Sequence, residues 1–286
     1  MMIKLKITII LSLVIIIFIP QIAFGDVTLP WSTTFNCADW TAPNTLSGCD
    51  GLAKAGDWAC SDGTGNHYEM ITAPANMSGG AGGKGQRHWI GDGTNNTSGD
   101  ISIPLNPSRN EIWLRFYMRY ELGLAWNGGA LHYNKIIYID STTNPRLILG
   151  YDGGDSVRVY CYGTSWYIYS ANGTGFKHIM GGDTGDGLWH LYEWHIKMDT
   201  NGSNGVTEVW IDGVRIINAT NANFGGSLGY TLRNIEMGNN ADYGASGRCM
   251  AVDFDDVAIS TTGYIGPLFI QPDTTPPAAP SGVTVS

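Results

Sequence analysis

Charged side chains are scarce in this chain: Asp, Glu, Lys and Arg make up 14% of its 286 residues, against about a quarter in ordinary globular proteins. Cations are the scarcer sign, with 16 Lys and Arg against 25 Asp and Glu. That balance argues against nucleic acid and anionic membrane surfaces as partners, because both recruit proteins through clustered Lys and Arg. A helical period is also missing. No stretch repeats apolar residues at i, i+3, i+4 and i+7, so helical bundles and α/β folds are set aside. No internal repeat is present, which removes solenoids and propellers. The glycine run ending at Gly85 is followed by no Gly-Lys-Ser/Thr and is not a phosphate loop. Zinc spacing of the CxxC or Cys/His kind is absent, as is a G-x-S-x-G nucleophile turn.

What remains is rich in glycine and aromatics, with 39 Gly, 10 Trp, 14 Tyr and 8 Phe. These fall in short runs of period two, separated by turn residues. Between residues 189 and 198, His190, Tyr192, Trp194, Ile196 and Met198 alternate with Trp189, Leu191, Glu193, His195 and Lys197, as a strand requires. Two Asn-Gly pairs at 201–202 and 204–205 make a turn, 206–211 alternates again, and Asp212-Gly213 turns into 214–217. Further strands are predicted at 26–35, 67–72, 86–90, 111–120, 131–140, 146–151, 156–162, 165–169, 231–238 and 250–260, with a loop at 36–65. In 111–120, Ile112, Leu114, Phe116 and Met118 make a core face, while Trp113, Arg115, Tyr117 and Arg119 make an aromatic and cationic one. About a dozen such strands at this spacing predict an all-β fold of two packed antiparallel sheets.

The two ends read differently. Lys4 and Lys6, the apolar run 7–19 and the small-residue end Ala23-Phe24-Gly25 describe a signal peptide over 1–25, too short for a membrane span. Its removal would leave a secreted chain of net charge −11, from 14 basic and 25 acidic residues, with no later segment apolar enough to insert in a membrane. The domain proper is placed at 26–270. At the other end, 271–280 (QPDTTPPAAP) is a stiff linker. Export makes disulfides expected among Cys37, Cys49, Cys60, Cys161 and Cys249. Five is an odd count, so at least one is left over, and the pairing stays open.

The order G-x-W-H at 187–190, alternating strand, turn, and V-x-x-V-W-x-D-G over 206–213 resembles the concanavalin A-like jelly rolls. That superfamily holds laminin-G-like domains, legume and pentraxin-type lectins, laminarinase-type hydrolases and several polysaccharide lyases. The resemblance implies a concanavalin A-like jelly-roll sandwich of two antiparallel sheets and a polysaccharide partner. Residues 281–286 resemble the opening strand of a fibronectin type III domain, which implies further domains beyond the linker.

In lyases of this superfamily the concave sheet carries an arginine strand, a Gln-x-His strand and a tyrosine that passes a proton. Gln86-Arg87-His88 matches the Gln-x-His spacing, and Arg115-x-Tyr117-x-Arg119 resembles the arginine strand. Their order is the reverse of the alginate-lyase form, whose R-T/S-E-L-R and YFKAGVYNQ-like strings are absent. β-Elimination from a uronate needs a group to neutralise the carboxylate, a base for the α-proton and an acid for the leaving oxygen. Arg115, Arg119 and Gln86 are the candidates for the first role, His88 or His132 for the second, and Tyr117 or Tyr133 for the third. Lys135 and Asn134 would add contacts to substrate. Retaining hydrolysis is not supported, because the E-x-D-x-x-E strand of the laminarinase type is missing.

A competing reading is a non-catalytic carbohydrate-binding or adhesion module. Trp89, Trp113, Tyr117 and Trp126 would then stack against sugar rings. A third, a purely structural surface domain, is favoured if the concave face is apolar or covered by loops. Finally, 252–259 resembles the closing strand of jelly rolls, where aspartates help hold a structural calcium, so Asp253 and Asp255 are the candidate ligands.

Overall fold

A computed structural model describes residues 27–35, 53–55, 60–61, 66–67, 70–72, 84–90, 100–124, 133–143, 146–152, 156–162, 167–172, 184–238 and 249–268. At 53–55, 60–61, 66–67, 70–72, 90, 100, 133–134, 151–152, 156, 162 and 167–172 the backbone alone is described. The described chain forms strands β1 (Trp31–Thr33), β2 (Ala53–Ala55), β3 (Cys60–Ser61), β4 (Asn66–His67), β5 (Met70–Thr72) and β6 (Gly85–Ile90). Then come β7 (Asp100–Arg109), β8 (Glu111–Tyr120), β9 (Tyr133–Ser141), β10 (Arg146–Asp152), β11 (Ser156–Tyr162) and β12 (Tyr167–Asn172). The remainder are β13 (His190–Lys197), β14 (Gly205–Ile211), β15 (Val214–Ala222), β16 (Leu232–Met237) and β17 (Met250–Ser260). A single 3₁₀ turn at Gly226–Leu228 is the helical element among the described residues, and none of their helices is long and apolar enough to cross a membrane.

Two antiparallel sheets account for nearly all of these strands. The first runs β15-β14-β13-β8-β17-β6-β5, with β1 also on β17; the second runs β12-β11-β10-β9-β16-β7-β2. They pack face to face over one continuous core. Ile112, Leu114, Phe116 and Met118 of β8 meet Ile101 and Ile103 of β7, Ile137 and Ile139 of β9, and Leu147 and Leu149 of β10 in that core. Burying each such side chain contributes about 1.5–3 kcal/mol. Within the core the Trp194 indole is partnered, donating to Thr207 Oγ1 at 2.9 Å.

Two differences from the sequence expectation have physical causes. Strand β7, unpredicted because Pro104 and Pro107 interrupt its alternation, lies inside the second sheet. Pro104 is tolerated there because β2 pairs only with 100–102; beyond it the Pro104 carbonyl accepts the Val27 amide at 2.9 Å. The predicted first strand contracts to β1, and only Val27 and Leu105 bridge before it. Of the cysteines, Cys161 is a buried free thiol and Cys249 is disulfide-bonded, its partner lying outside the described side chains.

The chain after β17 crosses back over the outer face of the first sheet. Residues 261–268 form a strap there. Glu193 accepts the Ile265 and Gly266 amides at 2.6 and 2.9 Å, and Tyr117 Oη accepts the Leu268 amide at 3.1 Å.

Candidate functional site

The register of β8, β17 and β6 decides which face each candidate occupies. Arg119, Asp253 and Arg87 lie side by side in one row, as do Met118, Phe254 and Gln86 in the next, and Tyr120, Val252 and His88 in the one after. Cross-strand neighbours share a face. Met118 and Phe254 are core residues, so Gln86 and His88 point inward with them, and both are buried. His88 sets its ring edge-on to Phe254, with centroids 5.2 Å apart. The expected gathering of Gln86, His88, Arg115, Tyr117 and Arg119 around one groove is therefore corrected: the first two and the last three sit on opposite faces of one sheet. Alternation in β6 separates two faces but does not say which is inward; the partner strand says that.

On the outer face, Arg115 and Tyr117 are engaged by the strap. Arg115 donates to the Gly266 and Asp256 carbonyls, both at 3.3 Å, and faces Glu193 across the strand pair. Desolvation lowers the Arg115 pKa against the pull of Tyr117, Asp256 and Glu193. Burial likewise raises the Glu193 carboxyl above its ordinary value, although the two strap amides and Arg115 oppose the rise. Trp113 stacks flat on His195, with centroids 4.1 Å apart. His195 is in turn held between Glu208 and Glu111 at 2.8 and 2.9 Å. This part of the face is tied down by its own side chains.

At one end of the same face the described residues leave a cleft. Arg87 binds the buried Asp253 through Nε and Nη2 at 2.8 and 3.0 Å, and Arg119 binds it through Nε and Nη2 as well. The hydrogen bond to Asp253 raises the Arg87 pKa. Each guanidinium also lies over an indole, Arg87 over Trp89 at 5.5 Å and Arg119 over Trp189 at 4.9 Å. Beside them is a cleft of about 230 Å³ lined by Arg87, Arg119, Glu121, Leu122 and Gly187. The turn at 121–124 positions it by bonding to Gly185 in both directions, Gly123 N–H to the Gly185 carbonyl and Gly185 N–H to Leu124, at 2.8 and 2.7 Å. Leu122 and Leu188 are largely exposed at its rim. Sequence reasoning identified Arg119 and Trp89 but missed Arg87 and Trp189. The signal for Arg87 was parity, since it shares a face with Trp89.

The remaining candidates fall on the second sheet. Lys135 and Arg146 both stand against the ring of Tyr138, at 5.7 and 4.8 Å, and Arg146 pairs with Asp140 at 2.7 Å. Tyr133 and Asn134 belong to the same strand, with only their backbone described, and His132 and Trp126 lie outside the described residues. Lys135 is thus separated by the whole sandwich from the outer-face arginines of the first sheet.

The residues chosen for calcium do not fit it. Both Asp253 oxygens are taken by two guanidinium groups, which would repel a dication, and Asp255 Oδ1 accepts the Asp256 amide at 2.8 Å. Among the described residues no group of three or more His, Cys, Asp or Glu gathers as a metal site.

Fold and face together define an all-β sandwich of two antiparallel sheets with one open aromatic and cationic corner. No family model and no curated protein matches the sequence. Among solved structures, the chain is similar to cellulose induced protein Cip1 at 17% identity and TM-score 0.45, over 68% of this chain and 85% of that one. It is similar to alginate lyase Aly36B at 12% and 0.43, over 65% and 83%. It is also similar to alginate lyase vAL-1 from Chlorella virus at 13% and 0.45, over 62% and 85%.

Proposed function

We propose that this chain is a secreted polysaccharide-binding module that holds sugar at the open corner of the first sheet. The observation that carries the reading is the pair of arginines fixed by Asp253 over Trp89 and Trp189, beside a cleft with an exposed Leu122 rim. Indole rings offer apolar surface to the C–H faces of pyranoses, and guanidinium groups locked in one orientation present donors to hydroxyls or carboxylates. Holding those cations by a buried carboxylate lowers the entropy lost when a ligand arrives. Arg87 and Arg119 are balanced locally by Asp253 and Glu121, which suits a hydroxyl-rich chain with or without carboxylates better than a dense polyanion. A bonded Cys249 agrees with an oxidising compartment.

β-Elimination on a uronate-containing glycan is the second reading. Its support is the convergence of Lys135 and Arg146 on Tyr138, on the strand that also carries Tyr133. Affinity electrophoresis against neutral glycans and polyuronates, run beside an assay for the ultraviolet absorbance of an unsaturated uronate product, separates the two. Retention that is lost in Trp189→Ala, without product, is the expected result. Product formation that survives Trp189→Ala and disappears in Arg146→Ala would replace binding by lyase chemistry on the second sheet. Neither retention nor product on any glycan would leave a structural domain.

A further inference from the structure

Beneath the strap lies a second cavity, of about 520 Å³, within the range of about 300–1,000 Å³ seen for small-ligand pockets. Its floor is one row of the first sheet, Ser32 of β1, Ala258 of β17 and Arg115 of β8, which are successive cross-strand neighbours. Ser260 and Thr262 line one side with hydroxyls 3.1 Å apart, and Trp31 and Tyr264 contribute aromatic surface. Arg115 is the feature that structural economy does not account for. It is 7% exposed, its hydrogen bonds to the Gly266 and Asp256 carbonyls are a long 3.3 Å, and its Nε has no hydrogen-bond partner among the described residues. A buried charged donor left unmade costs stability that a ligand oxygen would restore. Asp256 and Glu193 both act on the Arg115 charge, and Glu193 already accepts two strap amides.

We propose that this cavity is a chain-end site for an acidic sugar, with the terminal residue's carboxylate turned to Arg115 and its ring between the hydroxyls and the aromatic walls. Guanidinium is the side chain best matched to a carboxylate. Hydroxyls beside aromatic rings match a pyranose. The strap dictates a chain end rather than a passing chain, because the bond from the Leu268 amide to Tyr117 closes the face between Arg115 and Arg119. Those arginines are four positions apart on β8, about 13 Å along the strand, so the cavity and the open corner are separate places. The proposal rests on the glycan-binding reading and refines it.

The test is calorimetric titration of the full chain with a galacturonate tetrasaccharide, its methyl ester and free galacturonate. Three variants enter the comparison: Ala258→Leu, which fills the floor without removing a hydrogen bond; Arg115→Lys, which keeps the charge and loses the fork; and Trp189→Ala at the open corner. Thermal midpoints establish that each is folded. The expected result is tetrasaccharide binding weakened about tenfold or more by Ala258→Leu, by Arg115→Lys and by esterification, with polymer retention unchanged in Ala258→Leu. Tetrasaccharide binding as tight in Ala258→Leu as in the parent overturns the cavity site. If Trp189→Ala still abolishes polymer retention in that case, the glycan-binding reading stands. Equal affinity for acid and ester removes the role of Arg115. Free galacturonate binding as tightly as the tetrasaccharide overturns the chain-end assignment in favour of a small acid. If neither oligomer nor polymer binds the parent, the site and the reading beneath it both fall.

Discussion

Asp199 carries more structure than any other single side chain in the hairpin region. It is buried at the turn after β13, and its two oxygens accept the amides of Gly202, Phe224, Gly226 and Ser227 at 2.7 to 3.1 Å. One carboxylate therefore holds both its own turn and the 223–230 loop. Burial alone would raise its pKa, but the amides of Gly226, Ser227 and Phe224 outweigh burial and hold it below the ordinary carboxylate value. A depressed acid stabilises the fold above its unfolded-state pKa, and that stability is lost as pH falls through the folded value. Asp199→Ala leaves four donors short of an acceptor and is expected to cost about 3 kcal/mol or more, read as a lower urea midpoint at neutral pH. The variant's stability should also vary less with pH through the acid range than the parent's. A midpoint within error of the parent would show that water replaces the carboxylate without loss. The turn itself was legible from its Asn-Gly pairs; the reach of Asp199 into a loop some 25 residues away was not, because nothing local marks it.

At the scale of elements, β8, β13 and β14 are where sequence and structure agree most closely. Each buries one apolar row against the other sheet, so period two is written plainly: Ile112, Leu114, Phe116 and Met118 in β8, and Val209 and Ile211 in β14, are all fully buried. Legibility fails where a strand's second face is also covered. The outer residues Arg115 and Glu193 look like surface by alternation, yet the strap buries them, and the strap has no period of its own. The loop leading into β13 offers a prediction at this scale. His190 bonds Asp212 through Nδ1 at 2.7 Å and Asp186 through Nε2 at 3.1 Å, so it ties that loop, which carries Gly187 and Trp189, to the β14–β15 turn. Burial would lower its pKa, but the bonds and charges of Asp212 and Asp186 outweigh that and raise it. A raised imidazole contributes stability in full below its unfolded value, and that contribution is lost as pH rises through the folded value. Glycan retention at the Trp189 corner is accordingly expected to weaken as pH climbs through that window, and His190→Gln to remove the dependence. Retention that is flat in pH for the parent, measured by affinity electrophoresis at several pH values, would detach the loop from the binding corner.

For the whole molecule, what joins the sheets is as informative as what covers them. Sheet order could not be read from the chain, since β17 closes beside β8 and β6 although its sequence neighbours belong elsewhere. Arg87 and Asp253, 166 residues apart, become partners only through that closure. The two sheets also come close together at the same place. Gly238, just past β16 of the second sheet, has φ of 85°, a left-handed conformation that favours glycine. A Cβ built there would overlap the ring of His88 from β6 of the first sheet. Phe254 backs that ring edge-on, so His88 has little room to retreat. Gly238→Ala is therefore expected to cost about 1 kcal/mol for the backbone and about 1–3 kcal/mol for overpacking. The two parts are separable. In Gly238→Ala with His88→Ala, the overlap is gone and only the backbone cost of Gly238→Ala remains, so the double variant should be more stable than the sum of the singles by about 1–3 kcal/mol. Chemical denaturation of the four proteins measures that coupling. Strict additivity would mean that the sheets part locally to admit the methyl group, and that His88 is held by its own strand rather than clasped between the two layers.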